Sequence, residues 1–433
     1  MKNDKSPWHN LSSPPLLNSP IFISIIMFIS FLTISWHNLP AWNVDNAYYI
    51  NVFQFIPVRR PFSVRILYPN IARLIMNISG VTLAQSFIIA NSIALLLLLL
   101  VISYLIKKIT SNTFLAVPML FNPLLLRSFQ EAYIPDLFFL CLVSIYFLLI
   151  YHSYYRFSLL TLLLLFITRD DVILLFVSII LVNIYLSGWK FVLLSVLVML
   201  IGLAINSFTA LYGLPSPANM NPLLFYLIRI PSNLFYNFTG IPIWSNIYSD
   251  ICNPIIKINL PIWRPFGNLH SVGLCPINLT TPFRNISFFL TTLGVLPSLL
   301  IYDLVNNYKS ILKSTPLFTM IALVYGVICF LSAGGLSMDI MRHVGEAWPA
   351  VWLAMIALLP LHYKIDKKFI YRMSICNLIV SWAPWIIFLH KVKPTFFYQF
   401  SLKTLPIFIL IVLFSIFGHY YAINAMRNQA KLT

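Results

Sequence analysis

The sequence predicts an all-α, polytopic membrane bundle of about 12 transmembrane helices (range about 10–13), with short amphipathic helices in the loops outside the membrane. Three observations predict it. Sixty per cent of the 433 residues are hydrophobic. Only 9% are charged, against roughly 25% in soluble domains. Apolar runs long enough to cross a bilayer recur from Ile21 to the C-terminal region, separated by short polar stretches.

Residues 1–19 form a tail whose Lys2 and Lys5 place it in the cytoplasm. The tail lacks the early apolar run and small-residue cleavage site of a signal peptide. Residues 20–433 then read as a single transmembrane domain. Its expected spans are 20–38, 84–106, 113–127, 135–151, 157–169, 171–187, 190–210, 288–306, 316–335, 347–363, 370–389 and 404–422.

The first loop, 39–83, is the most informative stretch. Asp45 stands alone as an acid among Trp36, Trp42, Tyr48 and Tyr49, followed by Arg59, Arg60, Arg65 and Arg73. Prolines at 40, 57, 61 and 69 preclude a long helix there. A lone carboxylate beside guanidinium groups suits chemistry on a phosphate-bearing substrate: the acid takes a proton and the arginines clamp phosphate in pairs of hydrogen bonds. An interfacial loop with belt aromatics and headgroup-binding arginines would share that composition.

Residues 157–187 read either as one helix or as two short arms with Arg169, Asp170 and Asp171 at the tip. A single helix would set three charges mid-membrane, each costing about 2.5–3.5 kcal/mol. The hairpin also leaves most later lysines on the cytoplasmic side, so the hairpin is the expectation. With it, eleven of fifteen lysines fall inside, while ten of thirteen arginines and eight of eleven acids fall outside. Positive-inside sorting accounts for the lysines but not for outward arginines. Arginines and acids converging on one face imply a site there, although loop-tying ion pairs would sort the same way.

The long loop 211–287 is rich in Pro and Asn, and Pro222–Ile230 suits a surface amphipathic helix. It holds Cys252 and Cys275, which are expected to form a disulfide in an oxidising compartment; the other three of the five cysteines lie in apolar runs. Scattered basic residues exclude a nucleic-acid patch despite a net charge of +17. There is no Gly-rich phosphate loop, HExxH or CxxC, so no cofactor or metal is expected. Outside the first loop, two outward elements matter. One combines Arg127, Gln130, Glu131 and Asp136 with Thr168, Arg169, Asp170 and Asp171. The other is Asp339, Arg342, His343 and Glu346, which share one helix face at i, i+3, i+4 and i+7.

WNVDNAYY after the first span, PFSVRILYP before the second, TRDD after a short span and MRHVGEAWP further on resemble motifs of the GT-C superfamily, membrane glycosyltransferases that use polyprenyl-phosphate sugars. The second acid often found in the first loop of protein mannosyltransferases is absent, since Asn46 follows Asp45. The resemblance implies a GT-C-like fold and inverting transfer of a sugar from a polyprenyl-phosphate donor to an extracytoplasmic glycan or glycolipid. It implies Asp45 as general base. Donor phosphate would be held by Arg59, Arg60, Arg65, Arg169 and Arg342. Tyr48, Tyr49, Glu131, Asp170, Asp171 and His343 would orient sugar or acceptor. Such an enzyme would sit in the bacterial inner membrane with its site facing outward, drawing its energy from the lipid donor rather than from a nucleotide. Other readings are a transporter, an O-antigen-type polymerase or ligase, and a membrane partner without catalysis.

Overall fold

The computed structural model describes residues 16, 18–41, 45–58, 62–186, 188–211, 222–240, 256–259, 271–274, 279–336, 340–386 and 405–429. Among them the chain is helical except for one antiparallel pair of four-residue strands, Ile256–Asn259 and Ser271–Leu274. Five helices are long and apolar enough to cross a membrane: Pro20–Asn38, Leu83–Thr110, Trp189–Thr209, Leu317–Gly335 and Leu405–Arg427. A sixth span results if Thr280–Thr291 and Leu296–Lys313, which meet at 70°, are taken together. This is a helical, multi-pass membrane protein. Most of the other predicted spans are shorter or broken, while Lys367–Ile386 keeps 20 residues. Asp136–Tyr151 has 16 residues, Tyr155–Phe166 has 12, Ile173–Tyr185 has 13 and Trp348–His362 has 15.

The first span starts where Ser19 caps it, its Oγ accepting from the Phe22 amide at 3.4 Å ahead of Pro20. The second opens on a capping box: Thr82 Oγ1 accepts from the Gln85 amide and Gln85 Oε1 accepts from the Thr82 amide. It ends with Lys107 and Lys108 in its last turn, where the helix dipole favours cations. Asn18 bonds Thr113, so the start of the first span and the end of the second lie at the same end of the bundle.

The expected span 113–127 is corrected. Pro118 and Pro123 divide that stretch into a 3₁₀ turn at Thr113–Ala116 and short helices at Val117–Leu120 and Pro123–Gln130. Asn122 caps the last of these by accepting from the Leu124 amide at 2.8 Å.

Residues 155–186 form two arms. Tyr155 packs its ring 5.4 Å from Phe191 at the start of the Trp189–Leu211 helix. The far end of the first arm, Phe166, accepts a hydrogen bond from Asn206 on that same helix. The second arm then returns, and the Gly188 amide donates to Asn183 O. Arg169, Asp170 and Asp171 therefore stand at a turn between antiparallel arms.

The 70° bend at 292–295 follows from Gly294, whose φ of 59° is costly for other residues. A Cβ there would also come within 2.0 Å of Asn377 Oδ1. Asn377 accepts from the Val295 amide, while Thr292 O accepts from Asn122 and Leu290 O from His419. Side chains thus replace the backbone bonds that the break removes.

The amphipathic helix in the long loop extends beyond its predicted limits, to Pro222–Thr239. Asn233 and Asn237 donate to Gly335 O and Gly334 O, which ties it to the end of the Leu317–Leu336 helix. The main core runs through nearly every helix. Two smaller clusters, Phe53, Tyr68, Phe87 and Tyr133, and Tyr49, Val52, Val58, Phe62 and Ile134, fix the first loop.

Candidate functional site

The first loop folds back onto the bundle. Asp45 immediately precedes a short helix, Asn46–Phe53, and Asn46 Nδ2 donates to Ala41 O at 3.2 Å. The Ala41 amide donates to Gln130 O, and the Leu67 amide donates to Ile167 O, beside the hairpin turn. Phe62 is the anvil of the loop: Tyr48 stacks on it at 4.3 Å and Tyr49 meets it edge-on at 5.4 Å. Tyr49 is fully buried, and its hydroxyl accepts from Arg65 Nη1 at 3.1 Å.

Four stretches far apart in sequence then bring their charges together. Arg65 donates through Nε and Nη2 to Asp170 Oδ1, at 3.0 and 2.5 Å. Arg342 grips Asp136 with two nitrogens, Nε 2.5 Å from Oδ2 and Nη2 2.7 Å from Oδ1. Its Nη1 lies 3.4 Å from Asp45 Oδ2. Arg169 is surrounded by acids: Asp136 Oδ1 at 2.7 Å, Glu346 Oε1 at 2.7 Å, and Asp171. His343 Nδ1 lies 3.2 Å from Glu346 Oε1. Asp136 bridges two arginines, and Arg169 joins three carboxylates, so the cluster is one network rather than a set of pairs.

Burial grades the network. The Arg169 side chain is 2% exposed and that of Glu346 is 3%. Asp45 and Asp170 are the open members, each 31% exposed. The dry interior holds Arg169, Asp136, Asp171 and Glu346; the rim that solutes can reach holds Asp45, Asp170 and the edge of Arg342. Burial works against the charge on Arg65, but Asp170, Tyr49 and Asp171 together more than offset it and hold the guanidinium well above its ordinary range. Burial likewise disfavours a charged His343, and the Glu346 and Asp171 carboxylates override it, raising the imidazole.

The structure unites Asp45, Tyr49, Arg65, Arg169, Asp170, Asp171, Arg342 and His343, all singled out in the sequence. Asp136 and Glu346 lie at the centre of the network; the sequence placed both among the outward elements but gave neither a role in holding phosphate or sugar. An ionisable residue at a helix end facing the bundle was the signal available for both. Glu131 instead pairs with Arg127 four residues earlier, at 3.1 Å with both side chains buried. Arg59, Arg60, Asp339, Cys252 and Cys275 lie outside the described residues, as does the expected disulfide. Arg73 packs its guanidinium 3.6 Å from the Phe55 ring centre.

Among the described residues, Asp171, His343 and Glu346 are the group whose donor atoms, all within 4.8 Å of one another, could hold an ion. The Arg169 guanidinium already contacts both carboxylates and supplies positive charge at that place. No family model matches the chain, and no curated protein is significantly similar to it.

Proposed function

We propose that this protein is an integral membrane glycosyltransferase that moves a sugar from a polyprenyl-phosphate donor to an acceptor glycan or glycolipid outside the cytoplasm, with inversion. The observation that carries the reading is the position of Asp45. It is a carboxylate 31% exposed at the rim of a buried arginine–acid network, 3.4 Å from Arg342 Nη1. The buried acids are engaged by Arg169 and Arg342, whereas Asp45 stands where an acceptor hydroxyl can approach.

In the proposed step, Asp45 takes the proton of the acceptor hydroxyl as its oxygen bonds to the anomeric carbon. The bond from that carbon to phosphate breaks, and polyprenyl phosphate leaves. Arg342 and Arg65, held by Asp136 and Asp170, face the negative charge that grows on the departing phosphate. Arg169 holds the frame. Tyr48 and Asp170 are assigned to sugar or acceptor, whereas Asp171 and His343, expected in that role, belong to the interior of the network. A phosphate leaving group needs no second acid to protonate it, which suits a site with a single rim base on the first loop.

The test is transfer of labelled sugar from a polyprenyl-phosphate donor by purified, monodisperse protein, with donor binding measured separately. Asp45→Asn is expected to lower turnover by about 10²–10⁴-fold and to leave donor binding intact. Wild-type turnover in that variant would remove the assignment. It would favour an O-antigen-type polymerase or ligase, which needs no carboxylate in the first loop.

A further inference from the structure

We propose that the opposite end of the bundle carries a second, independent site, in which Ser310 is a nucleophile, His362 its base and Asp303 the acid that orients the base, acting on an ester or thioester of an apolar acyl chain.

His362 Nδ1 lies 2.9 and 3.1 Å from the two carboxylate oxygens of Asp303. His362 Nε2 lies 3.3 Å from Ser310 Oγ. The order of burial is the one nucleophilic catalysis requires: Asp303 is fully buried, His362 is buried and Ser310 is exposed. Asp303 and Ser310 flank a kink in the Leu296–Ser314 helix, and His362 contacts both. The helix leaves regular geometry between them, at Asn307 with φ −130° and ψ 17°. Asn307 Nδ2 donates to Asp303 Oδ1 at 2.7 Å and to Tyr363 Oη at 2.9 Å, which fixes the acid from a second direction. A purely structural role for the buried acid would be met by His362 and Asn307 alone. It would not require the second imidazole nitrogen to face an exposed hydroxyl.

The substrate class follows from the wall beside the triad. Leu296, Leu299, Met355, Leu359, Phe369 and Met373 line an apolar crevice. Leu299 and Leu296 precede Asp303 by four and seven residues, and Leu359 and Met355 precede His362 by three and seven. The crevice therefore adjoins the buried half of the triad, Leu299 and Leu359 each lying about one turn before Asp303 and His362. Exposed Lys309, Lys313 and Lys364 flank the polar end and would attract an anionic carrier.

Ser310 Oγ bonds to the acyl carbon while its proton passes to His362 Nε2. The carbon–oxygen or carbon–sulfur bond breaks, and the leaving alcohol or thiol takes that proton. Water then attacks the acyl-serine, His362 accepts and returns a proton, and the free acid leaves with Ser310 restored.

The test treats purified full-length protein with an alkyl fluorophosphonate and locates the adduct by peptide mass. Wild type is expected to label at Ser310, Ser310→Ala to lose the adduct, and His362→Gln to slow labelling by about 10²-fold or more. Because His362→Gln removes a buried partner, Ser310→Cys gives a second reading. Its thiol is expected to alkylate at neutral pH about tenfold faster than the thiol of a Lys309→Cys control. No Ser310 adduct on monodisperse protein, together with equal alkylation of the two thiols, overturns the proposal. Acyl release is then followed from acidic-phospholipid vesicles and from an acyl thioester of a phosphate-bearing carrier. Release from one identifies the carrier, and release from neither overturns the substrate class. Sugar transfer plays no part in these measurements, so this site and the Asp45 reading stand or fall separately.

Discussion

Two of the buried polar clusters among the described residues stand at opposite ends of the 15-residue Trp348–His362 helix, which spans about 22 Å at 1.5 Å per residue. At the Asp45 end, positive and negative charges share partners: Asp136 serves two arginines and Arg169 serves three acids. At the far end, Asp303 is served by one imidazole and one amide. The difference lies in what removal of a single group leaves behind. In the shared network, one deletion strands several buried charges at once. In the small cluster, the remaining groups can stay neutral and bonded.

The strongest way to break this comparison is Arg169→Gln. It leaves Asp136, Asp171 and Glu346 with less compensation in a dry interior. Losing one partner of a buried ion pair typically costs about 3–5 kcal/mol. Thermal unfolding of detergent-purified protein is expected to show a larger drop for this variant than for any change at the far end. If Asp303→Asn lowered the midpoint as much, charge sharing would not distinguish the two ends.

Asp303→Asn is expected to cost about 1–3 kcal/mol, the usual penalty for an impaired buried hydrogen bond. Asn fits the space and keeps an oxygen that can accept a hydrogen bond. Asp303→Leu, which leaves His362 and Asn307 without their acceptor, should be worse. The gap between the two variants measures how much of the cluster is hydrogen bonding rather than charge.

A smaller effect on stability is expected from Asp45→Asn, within about 1 kcal/mol, because partly exposed ion pairs contribute little. Unchanged unfolding combined with lost sugar transfer would separate the rim from the frame. A midpoint shift as large as that of Arg169→Gln would make Asp45 part of the frame instead.

The smallest expected effect is a pH dependence. His343 is held above its ordinary value, which is about 6.5 in an unfolded chain. Its pairing with Glu346 is therefore fully stabilising below that pH and is lost as pH rises through the higher folded value. Between pH 6 and 8 the wild-type unfolding midpoint should fall relative to that of His343→Gln. Parallel profiles for the two proteins would show that folding does not change the imidazole's hold on its proton.

Much of the Asp45 end was legible in the sequence, because its groups sit next to local signals. Asp45 follows the first apolar run, Arg65 precedes a proline-marked helix start, and Arg169 and its two acids interrupt an apolar stretch. Arg342, His343 and Glu346 share a helical spacing. The far-end cluster was not legible. Asp303 stands as a single acid in a predicted span, and His362 as a single histidine at the end of another. Neither has a neighbour in the sequence that names its partner.

By itself, the sequence determined that this chain is a helical membrane protein with arginines and acids gathered towards one side, because composition and apolar run length govern insertion one segment at a time. It also determined that a charged turn separates two short arms, because three charges in mid-membrane cost too much. Only the tertiary structure decided which acid meets which arginine. The pairs that define the network join residues 33, 105, 206 and 297 positions apart. The break near Gly294 likewise depends on Asn122, Asn377 and His419, which come from other parts of the chain. Helical periodicity reports neighbours within about two turns. Electrostatic pairing in a dry interior acts through space, so the partners appear only once the helices are packed.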